Sequence, residues 1–195
     1  MLLDEPFSAL DAPLRARLRH ELRDLQQEVA ATMIIVTHDP EEAALLADEL
    51  LVLEGGRVLQ TGPVQAVFSR PANELVTRLL GAENIGEGIA AAENRIAIEG
   101  GGTLIVGGPA LQPGMRVGWS VRPERVRLSA SGRYEATIES IAMIGSGCEI
   151  SVRLGRTLLR VLADHSDGAM TGPGRLDIDP GSLQVWQFDG AARGG

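Results

Sequence analysis

Hydrophobic and polar positions recur with a helical period over much of the first part of the chain. Five apolar residues are spaced three or four positions apart between charged side chains: Leu14, Leu18, Leu22, Leu25 and Val29. This spacing gives a helix one apolar face, and Asp11 lies where an N-cap side chain is expected. We therefore predict an amphipathic helix over residues 12–30.

Shorter apolar runs flank this helix. MLL at the start is a continuous apolar run, and so is MIIV within TMIIVTH after the helix; both segments predict buried strands. PEEAALLA predicts a short helix that begins with Pro40, and ELLVLEGGRVLQTG predicts a hairpin that turns at Gly55 and Gly56. Two short helices are expected near 63–69 and 72–80. The order strand, helix, strand, helix and antiparallel pair indicates an α/β fold.

Glycine content changes after this region. Only three of the 24 glycines fall in the first 80 residues. After Gly81 the chain consists of short β-rich runs between glycines and prolines, namely RIAIEG, TLIVGG, RVGWSVRPERVRLS, YEATIESIAMIG, CEISVRL and TLLRVLA. Many short strands at near-regular spacing predict a small barrel or sandwich. We expect an α/β part over residues 1–81, a β domain over 82–190 and a flexible tail over 191–195.

Charge and cysteine content narrow the class of protein. All 18 basic residues are arginine, and the 26 acidic residues give a net charge of −8. Such a chain, with 3% aromatic residues, lacks the cationic surface and the stacking side chains that nucleic-acid binding usually requires. The single cysteine, Cys148, cannot form an intramolecular disulfide, so we predict a buried thiol in a cytoplasmic protein.

Acidic residues and a histidine follow the two predicted strands. Asp4 and Glu5 come directly after the first apolar run, and His38 follows the second. Ligands of open α/β folds bind at the carboxyl ends of the strands. There Asp4 could hold a hydrated Mg²⁺, Glu5 could orient or deprotonate a water, and His38 could reach a phosphate. Structural alternatives stay open, because an acidic pair is a weak motif by itself and a histidine in this place is often a cap.

LLDEPFSALD and IIVTHDPEEA, separated by the amphipathic helix, together resemble the second half of the nucleotide-binding domain of ABC transporters. The resemblance implies a Walker B strand that ends in Asp4, a ligand of Mg²⁺, and in Glu5, which positions or activates the attacking water. It also implies a D-loop that includes Ser8 and Asp11 at the nucleotide, and a switch histidine, His38, that contacts the γ-phosphate. ATP and Mg²⁺ are the implied cofactors. The continuation ADELLVLEGGRVLQTGPVQAVFSRPANELVTRLLG resembles the end of the same domain in importer ATPases.

The later part of the chain, with ENIGEG and SVRPERVRLS, resembles the TOBE domain, a β domain related to the oligonucleotide-binding (OB) fold. The implied fold is thus a partial P-loop NTPase domain of α/β type, followed by an all-β, OB-like TOBE barrel. The implied partners are a second ATPase subunit, membrane permease subunits at the inner face of the cell membrane and, in some members, a solute or regulator at the TOBE domain. Nucleic acid is not an implied ligand.

Five polar or aromatic residues of this later part have simpler structural interpretations. Arg122, Glu124 and Arg125 fit a solvated turn with local ion pairs. Trp119 and Trp186 fit core anchors better than a ligand cage. None of the five is assigned to a site.

One motif of the family is missing from the sequence. A P-loop contains a lysine, in G-x-x-x-x-G-K-[ST], and this chain has none; the LSGGQ-type signature and the glutamine loop are absent as well. The first hypothesis is therefore the C-terminal part of the ATP-hydrolysing subunit of a bacterial solute importer, inactive by itself. The second is a binding or regulatory module of the TOBE type without nucleotide chemistry. A third is a complete enzyme that uses Asp4 and Glu5 for another metal-assisted hydrolysis.

Overall fold

The computed structural model describes residues 1–29, 32–92, 94–145, 147–164 and 170–187. It divides into two compact units. The first contains Met1–Ala72 with Leu79–Gly81, and the second contains Asn73–Arg78 with the described residues from Ala82 onward. The predicted flexible tail, 191–195, lies outside the described residues.

The first unit has the predicted order of elements. In sequence these are β1 (Leu2–Asp4), α1 (Ala12–Val29), β2 (Ile34–Val36), α2 (Pro40–Leu46), β3 (Glu49–Glu54), β4 (Arg57–Pro63) and α3 (Val64–Ser69). A further helix, α4, follows at Glu74–Leu79, and all but its last residue belong to the second unit. The amphipathic helix, the helix that begins at Pro40 and the two short helices after the hairpin are thereby confirmed.

The strands β1 and β2 are less buried than their sequences predict. They pair in parallel, with Leu3 opposite Ile35, and no third strand joins them in the described part of the chain. Leu2 is 70% exposed and Ile34 62% exposed. The prediction of two buried strands is wrong for this structure. Side chains of a strand point alternately to the two faces of the sheet, and this two-stranded sheet leaves those on its outer face uncovered.

The predicted hairpin is present as the antiparallel pair β3–β4. Its turn is formed by Gly55 and Gly56, whose φ angles of 54° and 75° lie in the left-handed region. Two consecutive positive φ angles are those of a type I′ turn, which matches the right-handed twist of the strands and strongly favours glycine. The sequence EGGR was therefore sufficient to locate this turn.

The second unit is almost entirely β-structure. Its strands are β5 (Asn84–Ala92), β6 (Arg95–Ile98), β7 (Thr103–Ile105), β8 (Arg116–Val121), β9 (Val126–Leu128), β10 (Tyr134–Ile144), β11 (Gly147–Leu154), β12 (Thr157–Ala163), β13 (Gly172–Ile178) and β14 (Gln184–Gln187). They form two five-stranded antiparallel sheets, with the orders β12-β11-β10-β13-β9 and β14-β8-β5-β6-β7. The six β-rich runs singled out in the sequence all contain strands, whereas β5, β13 and β14 were not predicted.

One hydrophobic core is shared by the two sheets. It contains Trp119 from one sheet, together with Ile150 and Leu176 from the other, and all three are at most 1% exposed. Trp186 is also buried, at 5%, and Cys148 is 2% exposed. The predictions of two tryptophan core anchors and a buried thiol are confirmed.

Glycines make room for the two indole rings. A Cβ atom at Gly86 would lie 2.4 Å from Trp119, and a Cβ at Gly118 would lie 2.2 Å from Trp186. Both separations are well below van der Waals contact, so any larger residue would displace a ring from a densely packed core. These glycines are thus required by the closeness of the rings and not by backbone conformation.

Candidate functional site

The loops after β1 and β2 leave the sheet at the same edge. Asp4 lies opposite Val36 in the parallel register, and the N–H of Glu5 donates to the carbonyl of Val36 at 2.8 Å. The carboxyl ends of the two strands are therefore locked side by side. As a result, Glu5 and His38, which are 33 positions apart in sequence, come into direct contact.

Glu5 and His38 form the centre of the candidate site. Oε1 of Glu5 lies 3.0 Å from Nδ1 of His38. The hydrogen bond and the negative charge of Glu5 raise the pKa of His38 above its ordinary value of 6.5. Glu5 also has a φ angle of 43°, in a region that residues other than glycine seldom occupy and that costs about 1–3 kcal/mol.

Asp4 ends β1 beside this pair, with an exposed side chain. Among the described residues, no group of three or more histidine, cysteine, aspartate or glutamate side chains could hold a metal ion. Within the described part of the chain, Asp4 is thus not a member of an all-protein metal cluster. A single carboxylate still fits Mg²⁺, which keeps several waters and commonly binds one or two carboxylates plus substrate phosphates.

Ser8 and Asp11 lie on the turns that connect Glu5 to α1. The hydroxyl of Ser8 donates to the carbonyl of Glu5 at 3.0 Å. Oδ1 of Asp11 accepts from the N–H of Leu14 at 2.9 Å, which confirms Asp11 as the N-cap of α1. Whether either residue also faces a nucleotide stays a prediction.

A small pocket borders the candidate site. Its volume is about 50 Å³, and its lining residues are Glu5, Ser8, Arg15, Thr37, His38, Asp39 and Glu42. This space holds about one or two water molecules. It is far below the several hundred cubic ångströms of a typical small-molecule site, so the described residues around Glu5 leave room for water and form no nucleotide pocket.

Sequence reasoning missed a buried ionic network beneath His38. Arg19 on α1 and Glu42 on α2 are 9% and 5% exposed, and their Nη2 and Oε1 atoms lie 2.8 Å apart. Arg19 also forms an ion pair with Asp39, while the hydroxyl of Thr37 donates to Oε2 of Glu42 at 2.6 Å. No local pattern in the sequence marks this network, because Arg19 lies beside the apolar stripe of α1 and its partners are 20 and 23 positions away.

Asp39 caps α2 as well as contacting Arg19. Its Oδ1 accepts from the N–H groups of Glu41 and Glu42 at 2.8 and 3.3 Å. Burial alone would raise the pKa of Asp39, but these hydrogen bonds and the charge of Arg19 hold the pKa below its ordinary value. The carboxylate is thus the stable form at neutral pH, and α2 begins at a fixed point directly after His38.

The β unit offers a wider surface groove than the site at Glu5. Its volume is about 530 Å³, and its lining residues are Glu135, Ala136, Thr137, Arg153, Gly155, Pro173, Gly174 and Arg175. Both of its arginines are paired, Arg153 with Glu139 at 2.5 Å and Arg175 with Glu135 at 3.1 Å. The groove therefore presents no strong excess of positive charge to an anion.

The predicted solvated turn is present in this unit. Pro123–Arg125 form a single turn of 3-10 helix, and Nη1 of Arg122 lies 4.0 Å from Oε1 of Glu124, with both side chains about half exposed. This geometry fits local ion pairing at the surface.

None of the described helices has both the length and the apolar character of a membrane span.

Comparison with protein families identifies one domain. The model of the TOBE domain matches residues 119–185. These residues span strands of both sheets in the second unit, from Trp119 in β8 to Val185 in β14.

Comparison with curated proteins gives relatives that share most of this chain. A spermidine/putrescine import ATP-binding protein, PotA 1 of Pseudomonas aeruginosa, is 38% identical over 166 residues, which are 79% of this chain and 44% of that protein. A molybdate/tungstate import ATP-binding protein, WtpC of Thermococcus kodakarensis, is 46% identical over 130 residues, 66% of this chain and 38% of that protein. The chain thus spans less than half the length of these relatives.

A solved structure also resembles part of the chain. It is the cytoplasmic molybdate-binding protein ModG, which aligns with a TM-score of 0.48 and 18% identity over 54% of this chain and 96% of that chain.

Proposed function

We propose that this chain, which is similar to ABC-importer ATP-binding proteins and matches the TOBE domain, forms the C-terminal part of a subunit that hydrolyses ATP. The reaction of the complete subunit would be ATP and water to ADP and phosphate, coupled to solute uptake. The first unit would then be part of a P-loop NTPase domain of α/β type, and the second an OB-like accessory domain.

The contact between Glu5 and His38 is the observation that supports this proposal most. An exposed carboxylate at the end of a strand can orient a water or take its proton, and the pocket beside Glu5 has room for water. His38 uses Nδ1 to contact Glu5, which leaves Nε2 free to point at a phosphate. Nε2 donates a hydrogen bond to a phosphate when the ring is protonated, and Glu5 favours that form.

The residues of this chain fit only part of the cofactor. Asp4 suits Mg²⁺, which stabilises negative charge on the phosphates when it is bound. No lysine is present to contact the β- and γ-phosphates. We therefore assign the phosphate cradle to the part of the complete subunit that this chain does not contain, and assign to this chain the groups that handle water.

Partners and location follow from the same proposal. A second ATPase subunit would place Ser8 and Asp11 near the nucleotide of a dimer, and permease subunits would hold the protein at the inner face of the membrane. The names of the relatives include importers of polyamines and of oxyanions. We therefore propose that the transported solute is small and charged, and we do not assign an individual compound.

A chimera tests the proposal. This chain would replace the region that it matches in the Pseudomonas aeruginosa relative, and phosphate release would be measured with Mg-ATP. We expect turnover in the chimera and a loss of about 10²–10⁴-fold in kcat with Glu5→Gln, since that is the usual contribution of a general base. Glu54→Gln, at the exposed β3–β4 turn, is the matched control. A chimera that hydrolyses ATP equally well with Glu5→Gln would refute the assignment.

A further inference from the structure

The short segment that carries His38 is held on both sides by side chains of α1 and α2. Before His38, the hydroxyl of Thr37 donates to Glu42 at 2.6 Å. After it, Asp39 pairs with Arg19. Arg19 and Glu42 are themselves joined at 2.8 Å. These contacts form a closed circuit around His38, although the side chain of His38 is itself 75% exposed.

We propose that Arg19 and Glu42 are positioning residues that hold the segment Thr37–Asp39 so that His38 meets Glu5. The inference rests on the proposed role of His38 and adds to it the groups that fix its geometry. The hydrogen bond between Glu5 and His38 does not fix the imidazole ring by itself, because an exposed side chain with a single hydrogen bond can occupy several rotamers.

Stability alone gives no reason for these charges. Arg19 and Glu42 are almost fully buried, and burial removes hydration from both members of an ion pair. Apolar residues of similar volume would join α1 to α2 equally well or better. They would, however, offer no partner to the hydroxyl of Thr37 or the carboxylate of Asp39. The charges of Arg19 and Glu42 are therefore needed to hold the segment Thr37–Asp39, and not merely to join α1 to α2.

The surrounding charges allow positioning to be distinguished from direct electrostatics. Glu5 after β1 and Asp39 and Glu42 at the start of α2 are the charged groups that act on this ring. Arg15 of α1 lines the pocket beside it, and Arg19 of α1 pairs with Asp39 and Glu42. Removing the positive charge of Arg19 would by itself raise the pKa of His38. Losing the contact with Glu5 would lower it, because that hydrogen bond is the largest cause of the raised value. The two mechanisms predict changes of opposite sign.

The test is an NMR titration of the histidine rings in the 195-residue chain, without nucleotide. The chain has three histidines, and His38→Gln assigns the signal. We expect the midpoint of His38 to fall toward 6.5, its ordinary value, in Arg19→Met, which keeps the aliphatic stem and removes the charge. Arg23→Met is the matched control, because Arg23 also reaches from α1 to α2, at the carbonyl of Leu45, but not to the histidine segment.

A second variant covers the case in which Arg19→Met does not fold. Thr37→Val removes one hydroxyl and leaves Arg19 and Glu42 paired, and we expect a smaller fall in the His38 midpoint. In a folded Arg19→Met protein, an unchanged or raised midpoint would overturn the proposal, as would an equal fall in Arg23→Met. If Arg19→Met is unfolded, an unchanged midpoint in Thr37→Val overturns it. The titration involves no ATP, so it is independent of the hydrolysis assay on the chimera.

Discussion

At the scale of single residues, Glu5 combines an unfavourable backbone angle with a specific contact. Its φ of 43° is stabilised by the N–H bond to Val36 and by the side-chain contact with His38, at 2.8 and 3.0 Å. Strained backbone of this kind persists where the surrounding structure fixes it, and it concentrates at functional sites. The strain turns the chain sharply after β1, so that two residues from different loops can meet.

The contact between Glu5 and His38 predicts a pH dependence. Because the folded pKa of His38 is raised above 6.5, its contribution to stability is fully present below 6.5, while Glu5 is ionised, and is lost as the pH rises through the folded pKa. We expect the difference in unfolding free energy between the native chain and Glu5→Gln to shrink over that interval. Urea unfolding followed between pH 5.5 and 8.5 measures it. A difference that grows with pH would contradict the ion pair.

At the scale of elements, the sequence was sufficient to predict a helix or turn whose cause lies in neighbouring residues. Helix α1 has its apolar period and its N-cap Asp11, and the β3–β4 turn has two glycines with positive φ. Strand β5 was missed because Asn84–Ala92 contains two glycines and three alanines, which have low strand propensity. Strand β13 begins with Gly-Pro-Gly, a sequence typical of turns.

The candidate site was predictable only in part, for a related reason. Asp4, Glu5 and His38 follow apolar runs, so their edge of the sheet could be inferred. The network of Arg19 and Glu42 joins residues 23 positions apart, and neither residue has a local motif. Long-range side-chain pairs depend on how α1 packs on α2, which single-sequence periodicity does not describe.

One strand-level contact predicts a large effect in the β unit. Gly118→Ala would place a Cβ about 2.2 Å from the Trp186 ring and force it out of the core. We expect a loss of about 1–3 kcal/mol or more in unfolding free energy, the usual cost of overpacking. Gly174→Ala is the milder control, because its Cβ would lie 3.0 Å from the end of the flexible Ile138 side chain. Tryptophan fluorescence during urea unfolding compares the two, and equal stabilities would contradict the packing argument.

At the scale of the whole molecule, the two units differ in how completely they cover their apolar residues. The second unit has a continuous core drawn from both sheets. In the first, Leu2, Ile34 and Val36 of the β1–β2 pair are about half or more exposed, and so are Leu25 and Val29 of α1. Strand order in the second unit, such as β10 beside β13 and β5 beside β8, depends on contacts distant in sequence and was not predictable from local patterns.

This difference predicts unequal stability. We expect residues 82–190 to fold as a separate protein, and residues 1–81 to be cleaved early by proteases or to aggregate, because uncovered apolar strands invite pairing with other chains. Hydrogen exchange measured by mass spectrometry over the full chain tests this. Amides of β10–β12 should exchange slowly and those of β1–β2 rapidly. Equal protection of the two units would contradict the expectation.

The last prediction concerns nucleotide. We expect the chain neither to bind ATP at physiological concentration nor to hydrolyse it, although Asp4, Glu5 and His38 are all present. In a P-loop, the lysine and the glycine-rich backbone supply most of the contacts to the phosphates, and this chain lacks them. The pocket at Glu5 has a volume of only about 50 Å³. Without Mg²⁺ between them, Asp4 and Glu5 repel a triphosphate, and catalytic groups cannot act on a substrate that is not held in place.

The measurement is a thermal melt with and without millimolar Mg-ATP, together with a phosphate-release assay. A ligand at 100 times its dissociation constant stabilises the folded state by about 2.7 kcal/mol, so binding would raise the melting temperature visibly. The chimera with the Pseudomonas aeruginosa relative is the positive control, since we expect the rest of that protein to supply a phosphate-binding loop for the same Glu5 and His38. A clear upward shift for the chain alone, or turnover that Glu5→Gln abolishes, would require a phosphate site built without lysine. In that case the division of labour proposed here, with water handled by this chain and phosphates by the rest of the subunit, would be wrong.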